Sequence, residues 1–158
     1  MMRICFVCTG NICRSPIAEH VMRDRLADAG LDGLVRVDSA GTGSWHAGDP
    51  ADERAVQVLR EAGYSSEHEA RQFRPEWFRS LDLVVALDQG HERALRRLAR
   101  TPEEAAKVRL LRSFDPAAGA DLDVPDPYYG GKEGFDEVLQ LCEAGCEGLL
   151  AEVRGRVG

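Results

Sequence analysis

The 158-residue sequence has no apolar run approaching the roughly 18 to 20 residues that cross a bilayer as a helix, which argues against a membrane span. It also lacks internal repeats, low-complexity tracts and any composition break that would mark a linker, so a single domain over residues 1–158 is expected. Arg3 is followed only by Ile4 to Cys8 before polar residues begin, too little for a secretory leader, and the cytoplasm is the expected location. Positive charge is in short supply: 20 Lys and Arg against 27 Asp and Glu leave a net charge of −7. That balance disfavours a nucleic-acid partner, and the Arg-rich stretch from Arg93 to Arg100 reads as one solvated helix face. The five cysteines are an odd count for a disulfide framework, and Cys8 and Cys13 share one loop, so reduced thiols are expected. Cys142 and Cys146 lie four apart on one helical face with no nearby histidine, which suits core packing better than metal binding. No metal and no cofactor is expected, and no feature points to a particular oligomeric state.

What is present is an alternation. Short apolar runs at Ile4–Val7, Leu34–Val37, Leu83–Leu87 and Val108–Leu111 read as buried strands, each followed by helix-length sequence. Helices are expected over about Pro16–Ala29, Pro50–Ala62, Gln89–Ala99 and Gly134–Arg154, the first two stopping at Gly30 and Gly63. The pattern predicts an α/β fold: an open parallel sheet of about four strands with helices on both faces. Ser113 to Lys132 has no strand or helix period and is the longest connection, the kind of loop that more often carries function.

The chemistry concentrates in Cys8-Thr9-Gly10-Asn11-Ile12-Cys13-Arg14-Ser15, between the first strand and the first helix. Ser15-Pro16-Ile17-Ala18-Glu19 has helix-start chemistry, with a capping hydroxyl, a first-turn proline and an early carboxylate. A tight loop of backbone amides at a helix N-terminus binds phosphate without other positive groups. Gly10 lets backbone approach the ligand, and Arg14 adds a planar donor fork matched to phosphate oxygens. The same field stabilises negative charge on the Cys8 sulfur, placing a nucleophile under a bound phosphorus. In an open parallel sheet, ligands sit beyond the carboxyl ends of the strands, and this loop follows strand one. Transfer from an aryl ester also needs a proton for the leaving oxygen, and one carboxyl group can supply it and then act as base for water. On chemistry alone Asp115, Asp121, Asp123 and Asp126 all qualify.

Cysteine, five intervening residues, then arginine and a hydroxyl residue is the signature of cysteine-dependent phosphatases. CTGNICRSP near the start of the chain resembles the low-molecular-weight protein tyrosine phosphatases. VDSAGTGSWH (37–46), EHEARQF (67–73) and VPDPYYGG (124–131) fall where that family has related segments, so the resemblance spans nearly the whole chain. It implies hydrolysis of phosphotyrosine proteins and aryl phosphates through a phosphocysteine. On this resemblance Cys8 is expected to be the nucleophile, Arg14 the phosphate-binding group and Asp126 the general acid and base. The resemblance further implies that Thr9, Gly10, Asn11, Ile12, Cys13 and Ser15 form the substrate-binding loop, and that Trp45, Tyr128 and Tyr129 wall a cleft in which an aryl group stacks. The resemblance also implies a polar network of Asn11, Ser15, Ser39 and His68 behind the loop, with Ser15 donating to the Cys8 sulfur as it leaves. His46 and Asp49 flank the cleft edge. Cys13 is a candidate to capture oxidised Cys8 as a reversible disulfide.

Ile12 bears on the alternatives. Within the resembling family, protein-arginine phosphatases carry threonine at this position, whereas an aliphatic residue accompanies phosphotyrosine. A thiol-dependent arsenate reductase would share the anion loop but needs further cysteines near the middle of the chain, and Leu81 to Arg100 contains none.

Overall fold

Strand β1 (Met2–Cys8) is buried on both faces, and that double burial organises the molecule. Its even residues Ile4, Phe6 and Cys8 join one apolar cluster, while Cys5 and Val7 join a second on the opposite side of the sheet. A strand sandwiched this way reads as a continuous apolar run rather than an alternating one. The computed structural model describes residues 1–157, with Gly158 outside the described residues. In them β1 pairs in parallel with β2 (Val35–Gly41) and β3 (Leu83–Ala86), and β3 with β4 (Val108–Leu110), in the order β2-β1-β3-β4.

Helix α1 (Arg14–Asp28), α2 (Glu53–Glu61) and α5 (Lys132–Val157) cover the first face through residues such as Ile17, Leu59 and Phe135. Helix α3 (Gln89–Leu98) and a 3₁₀ turn at Pro75–Arg79 cover the second through Leu95 and Phe78. The fully buried rings of Phe6, Phe78 and Phe135 each contribute on the order of 1.5–3 kcal/mol by leaving water. Cys142 and Cys146 are buried in the first cluster, and no metal-binding group of His, Cys, Asp or Glu occurs among the described residues. Nor is any helix there long and apolar enough to cross a membrane. The arginines of α3 point to solvent, as their spacing predicts.

Three local expectations need correction. Strand β2 extends four residues beyond Val37, because pairing continues from Cys5↔Asp38 to Cys8↔Gly41 and carries polar Asp38 and Ser39 into the sheet. Leu34, expected inside the strand, is 49 % exposed. Helix α1 begins at Arg14, and its N-cap position is Cys13 with no side-chain cap; Ser15 lies inside the first turn rather than capping it. A short helix α4 (Pro102–Ala106) and a 3₁₀ turn at Leu111–Phe114 were hidden from periodicity by their length.

From β1 the chain crosses to β2 on one side, and the later strands add on the other. The sheet order therefore reverses at β1, and the loops diverge at its carboxyl end, opening a crevice over residues 8–15.

Candidate active site

The uncapped start of α1 is the first determinant of the site. First-turn amides of a helix have no intrahelical acceptors, and without a capping side chain they remain available to an anion. The loop ahead of them is fixed from outside. The carbonyls of Cys8, Thr9 and Ile12 accept from the amides of Thr42 (2.8 Å), Gly43 (3.0 Å) and Asp52 (2.8 Å). The Asn11 carbonyl accepts from His68 Nε2 at 2.6 Å. With its carbonyls engaged outward, the loop leaves its N–H edge to the cavity.

Asn11 is the hub. It is wholly buried and sits at φ 59°, in the left-handed region that asparagine tolerates better than most side chains. Its Nδ2 donates to Ser15 Oγ (2.8 Å) and Ser39 Oγ (3.0 Å), and its Oδ1 accepts from the Arg71 amide (3.0 Å). Ser39 donates onward to buried Glu19 (2.5 Å), which Arg23 pairs. Burial holds the His68 imidazole below its ordinary pKa, so it donates from a neutral ring. Strand β2 can lie this close because Gly41 has no side chain: a Cβ there would stand 2.6 Å from Thr9 O. Asn11 and Ser15, grouped by sequence with the substrate-binding residues, do not line the cavity; their side chains stand behind the loop.

Cys8 Sγ lies 2.9 Å from Ser15 Oγ. That hydroxyl already accepts from Asn11 Nδ2, and its other neighbour, Ala40 O, is 3.5 Å away. The sulfur is therefore the nearer acceptor for its hydrogen. Arg14, 3 % exposed, is oriented by groups the sequence reading did not find. Its Nη1 donates to Asp88 Oδ2 (2.8 Å) and Val124 O (2.9 Å), while Nη2 lies 3.4 Å from His91 Nε2. Because Arg14 can only donate, His91 Nε2 is an acceptor; Thr9 Oγ1 donates to it at 2.8 Å, which leaves the ring proton on Nδ1, a buried atom 3.2 Å from Asp88 Oδ1 but without hydrogen-bond geometry to it. Burial, reinforced by the Arg14 charge, pushes the His91 pKa down to about 4. Burial raises the Asp88 pKa, but the His91 amide, which donates to its Oδ1 at 2.9 Å, and then Arg14 outweigh it and hold the carboxyl below the usual carboxylate range.

The cavity over this loop has a volume of about 300 Å³. Cys8, Thr9, Gly10, Ile12, Cys13 and Arg14 form its floor, and Trp45, His46, Asp126, Tyr128 and Tyr129 its walls. Asp126 Oδ2 lies 3.9 Å from Arg14 Nη2, and its Oδ1 accepts from the Tyr128 amide at 3.1 Å. Trp45 and Tyr129 are 73 % and 92 % exposed, so the upper walls are wet aromatic faces rather than core. The Trp45 ring lies over Gly43 so closely that a Cβ there would fall 1.7 Å from it, and any side chain at this position would displace the ring. His46 faces Tyr128 with centroids 6.4 Å apart, and its Nδ1 lies 3.2 Å from Asp49 Oδ2. Cys13 is 6 % exposed, and burial next to Asp52 pushes its thiol up to about 12. The other aspartates weighed for the acid role lie elsewhere: Asp123 accepts from the Gln89 amide, Asp121 pairs with Arg112, and Asp115 accepts from the Ala117 amide.

Asp52, Arg54, Asp88 and His91 all support this site, and none was visible in the sequence as doing so. Asp52 and Asp88 could have been recognised as N-caps of α2 and α3, a role both fill, but nothing in their spacing joins them to residues 8–15.

Residues 3–157 match the family described as low molecular weight phosphotyrosine protein phosphatase. A low molecular weight protein-tyrosine-phosphatase of Streptomyces coelicolor is 66 % identical over 98 % of this chain and 95 % of its own. Low molecular weight protein-tyrosine phosphatase A of Mycobacterium tuberculosis is 52 % identical over 94 % of this chain and 89 % of its own. Among solved structures, a protein tyrosine phosphatase from Entamoeba histolytica with Hepes in its active site superposes with a TM-score of 0.94 at 34 % identity, covering 98 % of each chain.

Proposed function

The chain belongs to the low molecular weight phosphotyrosine protein phosphatase family, a group of hydrolases that work through a phosphocysteine, and from that premise we propose how its own residues divide the reaction. The phosphoryl group of a phosphotyrosine side chain enters the cavity and is held by the loop amides and Arg14. Cys8 Sγ attacks phosphorus, the bond from phosphorus to the aryl oxygen breaks, and Asp126 protonates that oxygen. Asp126, now a carboxylate, takes a proton from water as the water attacks the phosphocysteine. The sulfur–phosphorus bond breaks, and the Ser15 hydroxyl donates to the departing thiolate. Phosphate then leaves. Asp88 and His91 hold Arg14 in place, and Asn11, Ser39 and His68 hold the loop.

The observation that carries this division is that a nucleophilic sulfur, a phosphate-binding guanidinium and a carboxylate face one cavity. Its aromatic walls favour an aryl phosphate, whose reach brings phosphorus to a sulfur at the floor. Aliphatic Ile12 in that floor favours phosphotyrosine over phosphoarginine. Only Cys8 and Cys13 line the cavity among the described cysteines, which leaves an arsenate-reducing relay without its further thiol. The substrates are phosphotyrosine-containing proteins met in the cytoplasm.

Rapid acid quench of the enzyme with a phosphotyrosine peptide tests the reading. A phosphoryl group on Cys8, formed and lost at rates that account for turnover, is the expected result. Turnover with no label on Cys8, or with label on another residue, overturns it. EDTA is expected to leave the rate unchanged.

A further inference from the structure

Asp126 sits on an exposed loop, yet a general acid must be held within hydrogen-bond reach of one oxygen. Val124 is secured on both sides, its amide donating to Leu87 O and its carbonyl accepting from Arg14. Beyond it, from residue 125 to 131, the loop bonds mainly to itself: Tyr128 N to Asp126 Oδ1 and Gly130 N to Pro127 O. Among the described residues, one side chain supplies that stretch with hydrogen bonds from outside. Arg54 donates from Nη1 to Gly130 O (2.7 Å) and from Nη2 to Tyr128 O (3.0 Å), two carbonyls just after Asp126.

Arg54 is itself tightly held. Its Nε and Nη2 bond the two oxygens of Asp52 at 3.0 Å each, and its guanidinium lies 4.5 Å from the centroid of the Phe135 ring at the start of α5. Asp52 caps α2, and its amide donates to Ile12 O in the phosphate loop (2.8 Å). A continuous set of short bonds thus runs from the loop that holds phosphorus, through Asp52 and Arg54, to the backbone that carries the acid. A planar fork with five donors can bridge a carboxylate and two carbonyls at once, whereas a lysine ammonium on a flexible stem cannot.

We infer that Arg54, braced by Asp52, is a positioning residue that sets Asp126 against the leaving-group oxygen. The inference rests on Asp126 being the general acid, and it makes Arg54 act through that residue alone. It separates from a merely structural role because a structural loss slows all esters alike. Loss of an aligned acid slows only those whose leaving group needs a proton.

The test compares kcat/KM for a phosphotyrosine peptide and for nitrophenyl phosphate in Arg54→Ala, Arg54→Lys and Asp52→Asn, each with and without Asp126→Ala. Both substrates are aryl esters, so a change in stacking on Tyr128 largely cancels in their ratio. Arg54→Ala is expected to cut the phosphotyrosine value by about 10- to 100-fold and the nitrophenyl value by less than about threefold, with inhibition by phosphate nearly unchanged. In the Asp126→Ala background the same change should cost less than about twofold, since there is no acid left to align. Arg54→Lys should fall between the parent and Arg54→Ala. Asp52→Asn keeps a cap for α2 but loses the ion pair, and should show the same ester selectivity. If Arg54→Ala does not fold, these two variants decide the matter. Equal losses on both esters, or losses that add in full to those of Asp126→Ala, overturn the role of Arg54 while leaving Asp126 in place. If Asp126→Ala itself slows both esters equally, the acid assignment fails and the inference falls with it.

Discussion

The phosphate loop and the acid loop face each other across one cavity and are built in opposite ways. In residues 8–15, Asn11 and Ser15 are wholly buried, Cys8 and Arg14 are 2 % and 3 % exposed, and the carbonyls of Cys8, Thr9, Asn11 and Ile12 all have partners. Across the cavity, the Asp126 side chain is 49 % exposed and Tyr129 is 92 % exposed. The difference follows from what each loop meets. Phosphate has one shape, so donors fixed in advance lose nothing and avoid reorganisation as charge shifts during the reaction. The leaving group is a protein side chain of varied surroundings, so its wall has to admit and release it.

The comparison breaks first, and completely, at the sulfur. Cys8→Ser should abolish turnover while leaving the affinity for inorganic phosphate largely intact, because the amides and Arg14 remain. Titration calorimetry with phosphate beside a phosphotyrosine assay checks both halves. More than a few per cent of parental turnover would remove Cys8 from the nucleophile's role.

Next in size is the acid. Asp126→Ala should slow phosphorylation of Cys8 by phosphotyrosine about 10²- to 10⁴-fold, the range of a positioned general acid. Tyrosine leaves as a phenol of pKa about 10 and needs the proton, whereas nitrophenol departs readily as the anion. Pre-steady-state phosphorylation with the two esters should therefore show a much smaller loss for nitrophenyl phosphate. Equal losses would point to another donor, with Asp123 the next residue to change.

A smaller effect sharpens the contrast from within the rigid loop. After peroxide converts Cys8 to a sulfenic acid, the Cys13 thiolate can attack that sulfur, expel hydroxide and close a disulfide that dithiothreitol reopens. Burial beside Asp52 raises the Cys13 pKa to about 12, so little thiolate exists near neutrality and trapping is slow. The recoverable fraction of activity should rise as oxidation is carried out from about pH 7 towards pH 9, because the thiolate fraction climbs nearly tenfold per unit. Cys13→Ser should make inactivation less reversible. Peptide mapping that finds no linkage between Cys8 and Cys13 after brief oxidation sinks the idea.

How much of this was legible beforehand depended on whether a residue acts near its own place in the chain. The apolar runs placed all four strands, and strand–loop–helix continuity placed Cys8, Arg14 and the cavity at the carboxyl end of β1. Periodicity cannot see β2 beyond Val37, where pairing with β1 rather than apolar character keeps the strand going. It also mistook Ser15 for a cap, since helix-start statistics describe helices whose first amides need a side chain and not those left open to a ligand. Arg54, Asp88 and His91 reach the site only through folding: Arg14 and Asp88 are 74 positions apart, as are Arg54 and Tyr128. Each looked like an ordinary polar residue at the start of a helix.

The smallest effect concerns stability and comes from His91, buried where the two loops meet. Arg14, Asp88, Asp126 and Asp123 surround its ring, and burial with Arg14 outweighs the three carboxylates, so the folded-state pKa is about 4 against an ordinary 6.5. Below pH 6.5 the unfolded chain takes up a proton at this ring that the folded protein refuses until about pH 4. Stability is therefore complete above 6.5, falls as pH drops through that window and changes no further below it, by up to about 3 kcal/mol in total. His68, also held low by burial, adds a loss of the same sign, whereas Asp88, lowered from 3.8, gives up its share only at more acid pH. Glutamine can place an amide oxygen to accept from Thr9 and Arg14 without titrating, so His91→Gln should flatten the fall in melting temperature between pH 6.5 and 4 without abolishing it. Above pH 6.5 the two proteins should run parallel. If parent and variant lose the same stability between pH 6.5 and 4, the ring at position 91 is not the buried base, and the rigid loop owes its acid sensitivity to His68 instead.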